Sequence, residues 1–270
     1  MPFYKAPHFL TFNPFILTGY RQNLSMKDCL RSVFCIHNET GNIWTHLLGA
    51  LMFGIYFIQN DHNYETFTHK TMFTLGVGAC IICYFMSSIY HTFNCHSEKV
   101  FETLLYCDFM GIVLTICGVT AMTLFFCMRC LPSERNFYVV CCIILGVILL
   151  GTVVLQLFYK GSQFAHISHY FMILFCGFGF IPLVHWIAVY GFENPEVKLS
   201  IWKILSAYLF LCVGFIFWRF HIPERWFIGK CDIWFSSHQI WHIFVMLGPA
   251  MFLYAGHDAF HFSKVSPCLL

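Results

Sequence analysis

The stretch MFTLGVGACIICYFMSSIYHTF, residues 72–93, decides the fold class of this chain. Its 22 residues contain no Lys, Arg, Asp or Glu, and about 20 consecutive apolar residues are enough for a helix to cross the hydrocarbon core of a bilayer. The stretch therefore predicts a transmembrane helix, which ends in a group of polar side chains that includes His91.

Six further apolar stretches predict spans of the same kind. They are residues 43–58, 109–128, 137–159, 170–192, 204–218 and 243–255. The chain is 59% hydrophobic and only 10% charged, whereas a soluble domain carries about 25% charged residues. We expect an all-α integral membrane bundle of seven transmembrane helices, with an N-terminal segment (1–41), a seven-helix domain (42–262) and a C-terminal tail (263–270). A net charge of +2 without a basic run gives no reason to expect a nucleic-acid partner.

The first, sixth and seventh apolar stretches are short for a membrane span. We expect their helices to continue through neighbouring polar turns, such as residues 44–48 and 238–242. Because polar groups are costly in lipid, those turns must lie inside the bundle.

The basic residues predict which side of the membrane holds the N-terminus. Four Lys or Arg precede the first span, against one, Lys70, in the loop after it. Cytosolic loops carry an excess of Lys and Arg, so we expect a cytosolic N-terminus and an extracellular or lumenal C-terminus. The pattern of a cleaved signal peptide is missing, so the first span is expected to direct insertion. The glycosylation sequons at Asn23 and Asn38 would then stay unmodified.

A short helix is predicted before the first span. Ser25 is a favourable N-cap, and the apolar positions that follow share one helical face while Lys27, Asp28 and Arg31 point away. The members of that face are Met26, Cys29, Leu30, Val33, Phe34 and His37. We interpret the segment as a helix that lies in the cytosolic membrane interface.

Most of the 15 cysteines lie inside predicted spans, where a buried Cys acts as a small hydrophobic residue. Cys80 and Cys83 have CxxC spacing, but their mid-span position favours packing over metal or redox chemistry. Cys127 and Cys130, at the end of the third span, are a better candidate for a disulfide.

Four ionisable residues stand at the ends of three separate spans. His91 ends the second span, Asp108 begins the third, and His238 and His242 precede the seventh. With seven spans, all four lie on the N-terminal side of the membrane. A charged group at the bilayer centre costs about 2.5 to 3.5 kcal/mol on insertion scales, so this convergence indicates a functional site.

The three histidines have the spacing of a metal site. His238 and His242 are four residues apart and share one helical face, and His91 would complete the three protein ligands that are typical of catalytic zinc. Neutral imidazole also suits Cu, Ni or Fe. Zinc is our default because no thiolate or redox signal lies nearby.

Asp108 and Ser87 are the candidate catalytic residues. Only the polar stretch 94–99 separates the span of His91 from that of Asp108, so the two side chains can face each other across a helical hairpin. A carboxylate there can take a proton from a metal-activated water. Ser87, on the same helix face as His91, could bind a substrate oxygen or orient the water; Ser237 is a weaker candidate.

Other histidines offer competing interpretations. His257 and His261, with Asp258 and His185, form a rival cluster toward the opposite face, although a solvated tail explains that pair more simply. The remaining histidines are expected to be satisfied core or interfacial residues. These are His46, His96, His166, His169 and His221.

Four stretches resemble signatures of the progestin and adipoQ receptor family (haemolysin III-related), and most of all its adiponectin receptor branch. They are IHNETGNIWTHLLG (36–49), SSIYHTFNCHSEKV (87–100), CDFMGI (107–112) and IPERWFIGKCDIWFSSHQIWHIFV (222–245). The resemblance implies seven helices with a cytosolic N-terminus and a zinc ion near the cytosolic face. It assigns zinc to His91, His238 and His242, water binding to Asp108, and an adjacent role to Ser87. It also implies a ceramidase activity, with ceramide or fatty acid as the lipid ligand.

The chain departs from that branch in two places. Its N-terminal region is only about 40 residues long, and Ser168 and His169 stand where a basic residue near the acyl chain is expected. A Golgi-resident branch that tethers kinases shares some of the motifs. Three functions therefore stay open: a zinc amide hydrolase that signals through lipid metabolism, a receptor with structural zinc and an extracellular protein ligand, and a scaffold. The plasma membrane and the Golgi are both possible locations.

Overall fold

Helices make up most of the part of the chain that the structure describes. The computed structural model describes residues 1–158, 162–266 and 268, except for the side chains of residues 156–158 and 162–169. Its α-helices are α1 (Met26–Ser32), α2 (Thr40–Asn60), α3 (Phe67–Phe93), α4 (Glu98–Cys127), α5 (Pro132–Phe158), α6 (Ser162–Phe178), α7 (Phe180–Tyr190), α8 (Pro195–Phe220) and α9 (Ser237–Ser263). The described ranges contain no strand. The predicted all-α fold is confirmed.

Seven helical segments are long and apolar enough to cross a membrane. They are Thr40–Asn63, Phe67–Phe93, Glu98–Cys127, Pro132–Leu155, Tyr170–Tyr190, Pro195–Phe220 and Ser237–Ser263. Each contains or overlaps one predicted apolar stretch, so the count of seven is confirmed. The three short stretches do extend through their polar flanks, because α2, α8 and α9 each begin before the apolar core. Tyr159, the predicted end of the fourth span, lies outside the described residues, as do the side chains of His166, Ser168 and His169.

The sequence predicted one continuous helix for the fifth span, and that prediction is wrong. The span is broken at Gly179, between α6 and α7. Pro182 has no N–H with which to continue the hydrogen-bond ladder to Phe178, so the ladder is interrupted there. Gly179 also leaves the room that the hydroxyl of Tyr208 occupies.

Capping residues set where the helices near the site begin. Thr66 accepts a hydrogen bond from the His69 N–H at the start of α3, and Ser97 accepts one from Val100 at the start of α4. The loop between α3 and α4 is short, which makes the two helices an antiparallel hairpin. The ends that carry His91 and Asp108 are therefore neighbours.

The predicted interfacial helix is present but shorter than its apolar pattern. The hydroxyl of Ser25 accepts a hydrogen bond from the Asp28 N–H, as a cap should, and α1 ends at Ser32. Phe34 therefore follows the helix rather than belonging to it, and His37 lies in the turn before α2. The position of α1 in the membrane interface stays a prediction, in keeping with the exposed side chains of Leu30 and Phe34.

Glycines bring α3 and α4 into close contact. A Cβ added at Gly111 would lie 2.9 Å from the Cα of Cys83, and one at Gly118 would lie 2.9 Å from the Cβ of Ala79. Small residues let helix backbones approach closely in membranes, where packing replaces the hydrophobic effect as the main attraction between helices. The hairpin that carries His91 and Asp108 is therefore held at a fixed spacing.

The disulfide differs from the predicted candidate. Cys130 pairs with Cys268, not with Cys127. Cys127 is the last residue of α4, and its thiol points into the bundle at 3.9 Å from the carbonyl oxygen of Ala255. Cys80 and Cys83 are buried free thiols, which agrees with their predicted packing role.

Candidate metal centre

The last turn of α3 places His91 inside the bundle. The side chain is 2% exposed, and its Nδ1 lies 2.8 Å from Oε2 of Glu39. Because an ionised carboxylate can only accept, Nδ1 carries the proton and Nε2 keeps its lone pair. Nε2 is buried and has no hydrogen-bond partner among the described residues. His91 therefore offers one free donor nitrogen to a ligand.

His238 and His242 meet His91 from the first turns of α9. Their ring centroids are 4.7 Å apart and lie 5.2 Å and 4.9 Å from that of His91. Each of the three rings offers one nitrogen, and these nitrogens all lie within 4.8 Å of one another. Nδ1 of His238 is also buried without a partner among the described residues. Three clustered imidazoles, two of which carry a buried nitrogen without a partner among the described residues, fit a transition-metal ion.

Helix α2 holds the ring of His242 from outside the cluster. Nδ1 of His242 lies 3.2 Å from the carbonyl oxygen of Asn42 and 3.2 Å from the hydroxyl of Thr45. Since a carbonyl can only accept a hydrogen bond, Nδ1 carries the proton. The unprotonated Nε2 of His242 is then free to bind a metal. Hydrogen bonds of this type orient metal-binding histidines and raise their basicity.

Glu39 is a buried carboxylate that the sequence analysis did not select. Its Oε2 accepts hydrogen bonds from His91 and, at 2.7 Å, from the side-chain amide of Asn42. Burial would raise the pKa of Glu39, but the bonds from His91 and Asn42 and the charge of Arg21 hold that pKa below its usual range. The carboxylate is thus kept ionised beside His91.

The residues that surround the three histidines had a periodic signal in the sequence. Glu39, Asn42 and His46 recur at the spacing of one helical face, where the first apolar stretch begins. His46 was expected to be a satisfied core histidine. Instead its ring stacks on that of His242 at 3.7 Å, and neither ring nitrogen makes a hydrogen bond to a described residue.

Asp108 lies on α4 near the end of α3 that carries Ser87 and His91. The carboxyl of Asp108 interacts with both residues, so the three side chains are close together. The hydroxyl of Ser87 is buried and does not meet hydrogen-bond geometry with any described group. Asp108 is not one of the three residues whose ligand atoms cluster within 4.8 Å. It can therefore act on a group held between the helices, rather than as a fourth ligand.

The other candidate residues have structural partners. The N–H of Ser237 donates to Glu224, which makes this serine part of the cap of α9. In the rival cluster, Nδ1 of His257 lies 3.0 Å from the hydroxyl of Tyr64, and Asp258 pairs with Lys203 at 2.6 Å. Within the described ranges, the main cluster is the one group of three that could hold a metal. Metal binding at the main cluster stays a prediction.

A family model covers most of the chain, including the three clustered histidines, Glu39 and Asp108. The model described as haemolysin-III related matches residues 34–253. The chain belongs to the haemolysin-III-related family. The matched region of this family member begins before Glu39 and ends beyond His242, so the whole cluster lies within the family domain.

Three relatives in this family carry the names of receptors. The chain is 32% identical over 268 residues to progestin and adipoQ receptor-like protein 1 of Caenorhabditis elegans, an alignment that covers 96% of this chain and 60% of the relative. It is 34% identical over 250 residues to the adiponectin receptor protein of Drosophila melanogaster, covering 90% and 55%. For human progestin and adipoQ receptor family member 3 the identity is 30% over 260 residues, covering 90% and 80%. The chain thus spans only 55 to 60% of the length of the first two relatives.

Proposed function

We propose that this protein binds zinc in the membrane and hydrolyses a lipid amide of the ceramide type. The observation that carries the proposal is the meeting of three histidines, two of them buried, beside a carboxylate that is not one of the three clustered ligand residues. The receptor names of the relatives are consistent with a role in signalling, which here would act through the lipid products. An extracellular protein ligand and a location in the plasma membrane or the Golgi belong to the same proposal.

His91, His238 and His242 would hold the ion. Three protein ligands leave one position open, as in catalytic zinc sites. When bound there, zinc acts as a Lewis acid that polarises a carbonyl oxygen and makes water more acidic. Glu39 and the Asn42 carbonyl keep His91 and His242 in the tautomers that present a free nitrogen.

Asp108 and Ser87 would carry the proton and the substrate contact. An oxygen of the Asp108 carboxylate takes the proton of the attacking water and later delivers it to the nitrogen of the leaving amine. The unpaired hydroxyl of Ser87 can donate a hydrogen bond to the amide oxygen. Cleavage of the C–N bond then yields a fatty acid and a sphingoid amine. The depth of the site among apolar helices favours a substrate that arrives from the lipid phase.

Asp108→Asn tests the catalytic role. We expect the purified variant to retain zinc and to lose ceramide turnover by a factor of about 10² to 10⁴, the range for a general acid–base residue. Zinc is measured by elemental analysis and the released fatty acid by mass spectrometry. Full turnover by Asp108→Asn would contradict the proposal.

A second candidate function is a signalling receptor in which zinc only braces the helices. It is favoured by the arrangement of the ligands, which join α3 to α9, while Glu39 holds the ring of His91 and α2 that of His242. In that case Asp108→Asn should leave signalling intact. His238→Ala should instead lower the melting temperature.

The scaffold hypothesis assigns function to residues 1–40. This segment is folded against the bundle and contributes Glu39 to the cluster, so its deletion would also disturb the histidines. Charge reversal at the exposed residues Lys27 and Arg31 is the cleaner test. Loss of partner binding with full zinc content would favour the scaffold.

A further inference from the structure

Residues 13–21, here called the strap, cross the end of the bundle that holds the three histidines. The strap bonds to the last turn of α3 at one end and to the loop before α9 at the other. These are the two helix ends that carry His91 and His238. None of the strap residues touches the histidine rings through a hydrogen bond, so any effect on the site acts through the helix ends.

Arg21 caps α3. Its guanidinium is buried, at 9% exposed, and donates at 2.6 Å to the carbonyl oxygen of His91 and at 3.0 Å to that of Thr92. The last carbonyls of a helix have no partner within the helix. Those of the flanking residues Tyr90 and Phe93 accept from the following loop, and Arg21 satisfies the two between them. A positive charge at this end of a helix also interacts favourably with the helix dipole.

Asn13 reaches the start of α9 through one carboxylate. Glu224 is fully buried, and its Oε2 accepts from the N–H of Ser237 at 2.7 Å. The hydroxyl of Ser237 donates to the same carboxylate, whereas Ser236, at the N-cap position, makes no capping bond. The side-chain amide of Asn13 donates to Oε1 of Glu224 at 2.9 Å. Asn13 thus holds the cap of the helix turn on which His238 stands.

The middle of the strap is also fixed. The hydroxyl of Thr18 donates to Asp232 at 2.7 Å. Gly19 has a φ of +83°, and a Cβ at this position would lie 2.7 Å from the side chain of Ile233 and 2.9 Å from the backbone nitrogen of Asn38. Only glycine tolerates both that φ and that contact without strain. The backbone of the strap is therefore fixed in one conformation across this end of the bundle.

We infer that the strap positions the metal site, with Arg21 and Asn13 setting the places of His91 and His238. The inference rests on the proposed metal binding. It makes these two residues positioning residues, because they act on the ligands through the backbone. The affinity of the site would then depend on a segment outside the transmembrane bundle.

Arg21→Gln tests the inference in the purified full-length protein. We expect its affinity for Zn²⁺, measured by competition with a chelator, to fall about 10-fold to 100-fold, the range for outer-layer changes at metal sites. The visible absorption bands of bound Co²⁺ should shift, because they report ligand geometry. Arg21→Lys should recover part of the affinity, since an ammonium group can still donate to the two carbonyls.

Arg129→Gln is the matched control. Arg129 is a partly buried arginine that donates to Glu196 at 3.1 Å and to the carbonyl oxygen of Ser266 at 2.9 Å. It lies at the opposite end of the bundle, beyond α4. We expect Arg129→Gln to lower the melting temperature while leaving the Zn²⁺ affinity and the Co²⁺ spectrum unchanged.

Three results would overturn the inference. Wild-type affinity and spectrum in a folded Arg21→Gln variant would do so, as would an equal loss of affinity in Arg21→Gln and Arg129→Gln.

If Arg21→Gln does not fold, Asn13→Ala takes its place with the same two readouts. A wild-type protein that binds no metal would instead refute the proposed function, and the inference with it. Metal binding without lipid turnover would leave the inference standing.

Discussion

At the residue scale, the carboxylate of Glu39 connects the start of α2 to the metal-ligand candidate His91. Glu39 accepts a hydrogen bond from Nδ1 of His91, which leaves the other ring nitrogen free. Glu39→Gln would replace an ionised acceptor by a neutral one and weaken that bond. We expect the affinity for Zn²⁺ to fall about 10-fold or more, as measured by chelator competition.

Glu193→Gln is the control for this change. Glu193 is exposed and pairs with Lys198, so its substitution should not alter metal binding. If the two variants bind Zn²⁺ equally well, Glu39 does not tune the site.

His37 gives the fold a dependence on pH. Its Nδ1 accepts from the N–H of Glu39 at 3.1 Å, and its Nε2 donates to the carbonyl of Ser32 at 3.0 Å. Burial, with the charge of Arg21, lowers the pKa of His37 to about 4. An unfolded histidine titrates near about 6.5, so between these values the unfolded chain binds more protons than the folded one. Stability contributed by neutral His37 is therefore present above pH ~6.5 and lost as the pH falls toward ~4.

Melting temperatures across this pH range test that dependence. The wild-type protein should lose more stability between about pH 6.5 and pH 4 than His37→Asn does. His8→Gln, at an exposed position, should keep the wild-type slope. Parallel curves for the wild type and His37→Asn would show that His37 does not contribute.

The sequence was sufficient to select the residues that meet at the centre, but not those that hold them. His91, His238, His242 and Asp108 follow from span ends and helical spacing. Arg21 could not be found in that way, because it bonds backbone carbonyls, which carry no signature in the sequence. The functional roles of the selected residues stay predictions.

At the scale of elements, the register of α3 against α4 sets how Asp108 faces Ser87. Gly111 packs on Cys83, one helical turn away from both residues. Gly111→Ala would push the two backbones apart and cost about 1 to 3 kcal/mol of stability, as overpacking does. We expect lipid turnover to fall more than metal affinity, because none of the three histidines lies on α4.

Gly78→Ala is the control within the same hairpin. Nothing lies within 4 Å of a Cβ at Gly78, so this substitution in α3 should leave stability and turnover near their wild-type values. Equal turnover in Gly111→Ala and Gly78→Ala would argue against a register effect.

The spans were predictable as elements because apolar length alone identifies them. The break between α6 and α7 was not, since Gly179 and Pro182 sit in an unbroken apolar run. Proline favours an interruption of a helix, but a prediction from apolar length does not take this into account. The short α1 was found through its cap at Ser25, whereas its end at Ser32 had no comparable signal.

At the scale of the whole molecule, the disulfide gives independent support for the predicted orientation. Cys130 and Cys268 lie at the end of the bundle opposite the histidines, and disulfides persist in oxidising compartments. We expect the sequons at Asn23 and Asn38 to remain unglycosylated in eukaryotic cells, while a glycosylation tag fused after residue 270 is modified. A shift in mobility on deglycosylation that Asn23→Gln abolishes would reverse the orientation.

The contacts of the strap could not be predicted from the sequence. Asn13 and Glu224 are 211 positions apart in the chain, and no local pattern relates them. Composition predicted seven spans because each span is a local property. The layer that covers the site depends on pairs of polar residues that only the complete fold brings together.

The most direct test of the central claim is fatty acid release from ceramide by the purified protein at graded zinc occupancy. Zinc is removed stepwise with a chelator and then restored, and its content per chain is measured on the same samples. We predict that release falls in proportion to zinc and returns when zinc is restored. A protein with one zinc per chain that releases no fatty acid, or a zinc-free protein that releases it at the same rate, would contradict the claim.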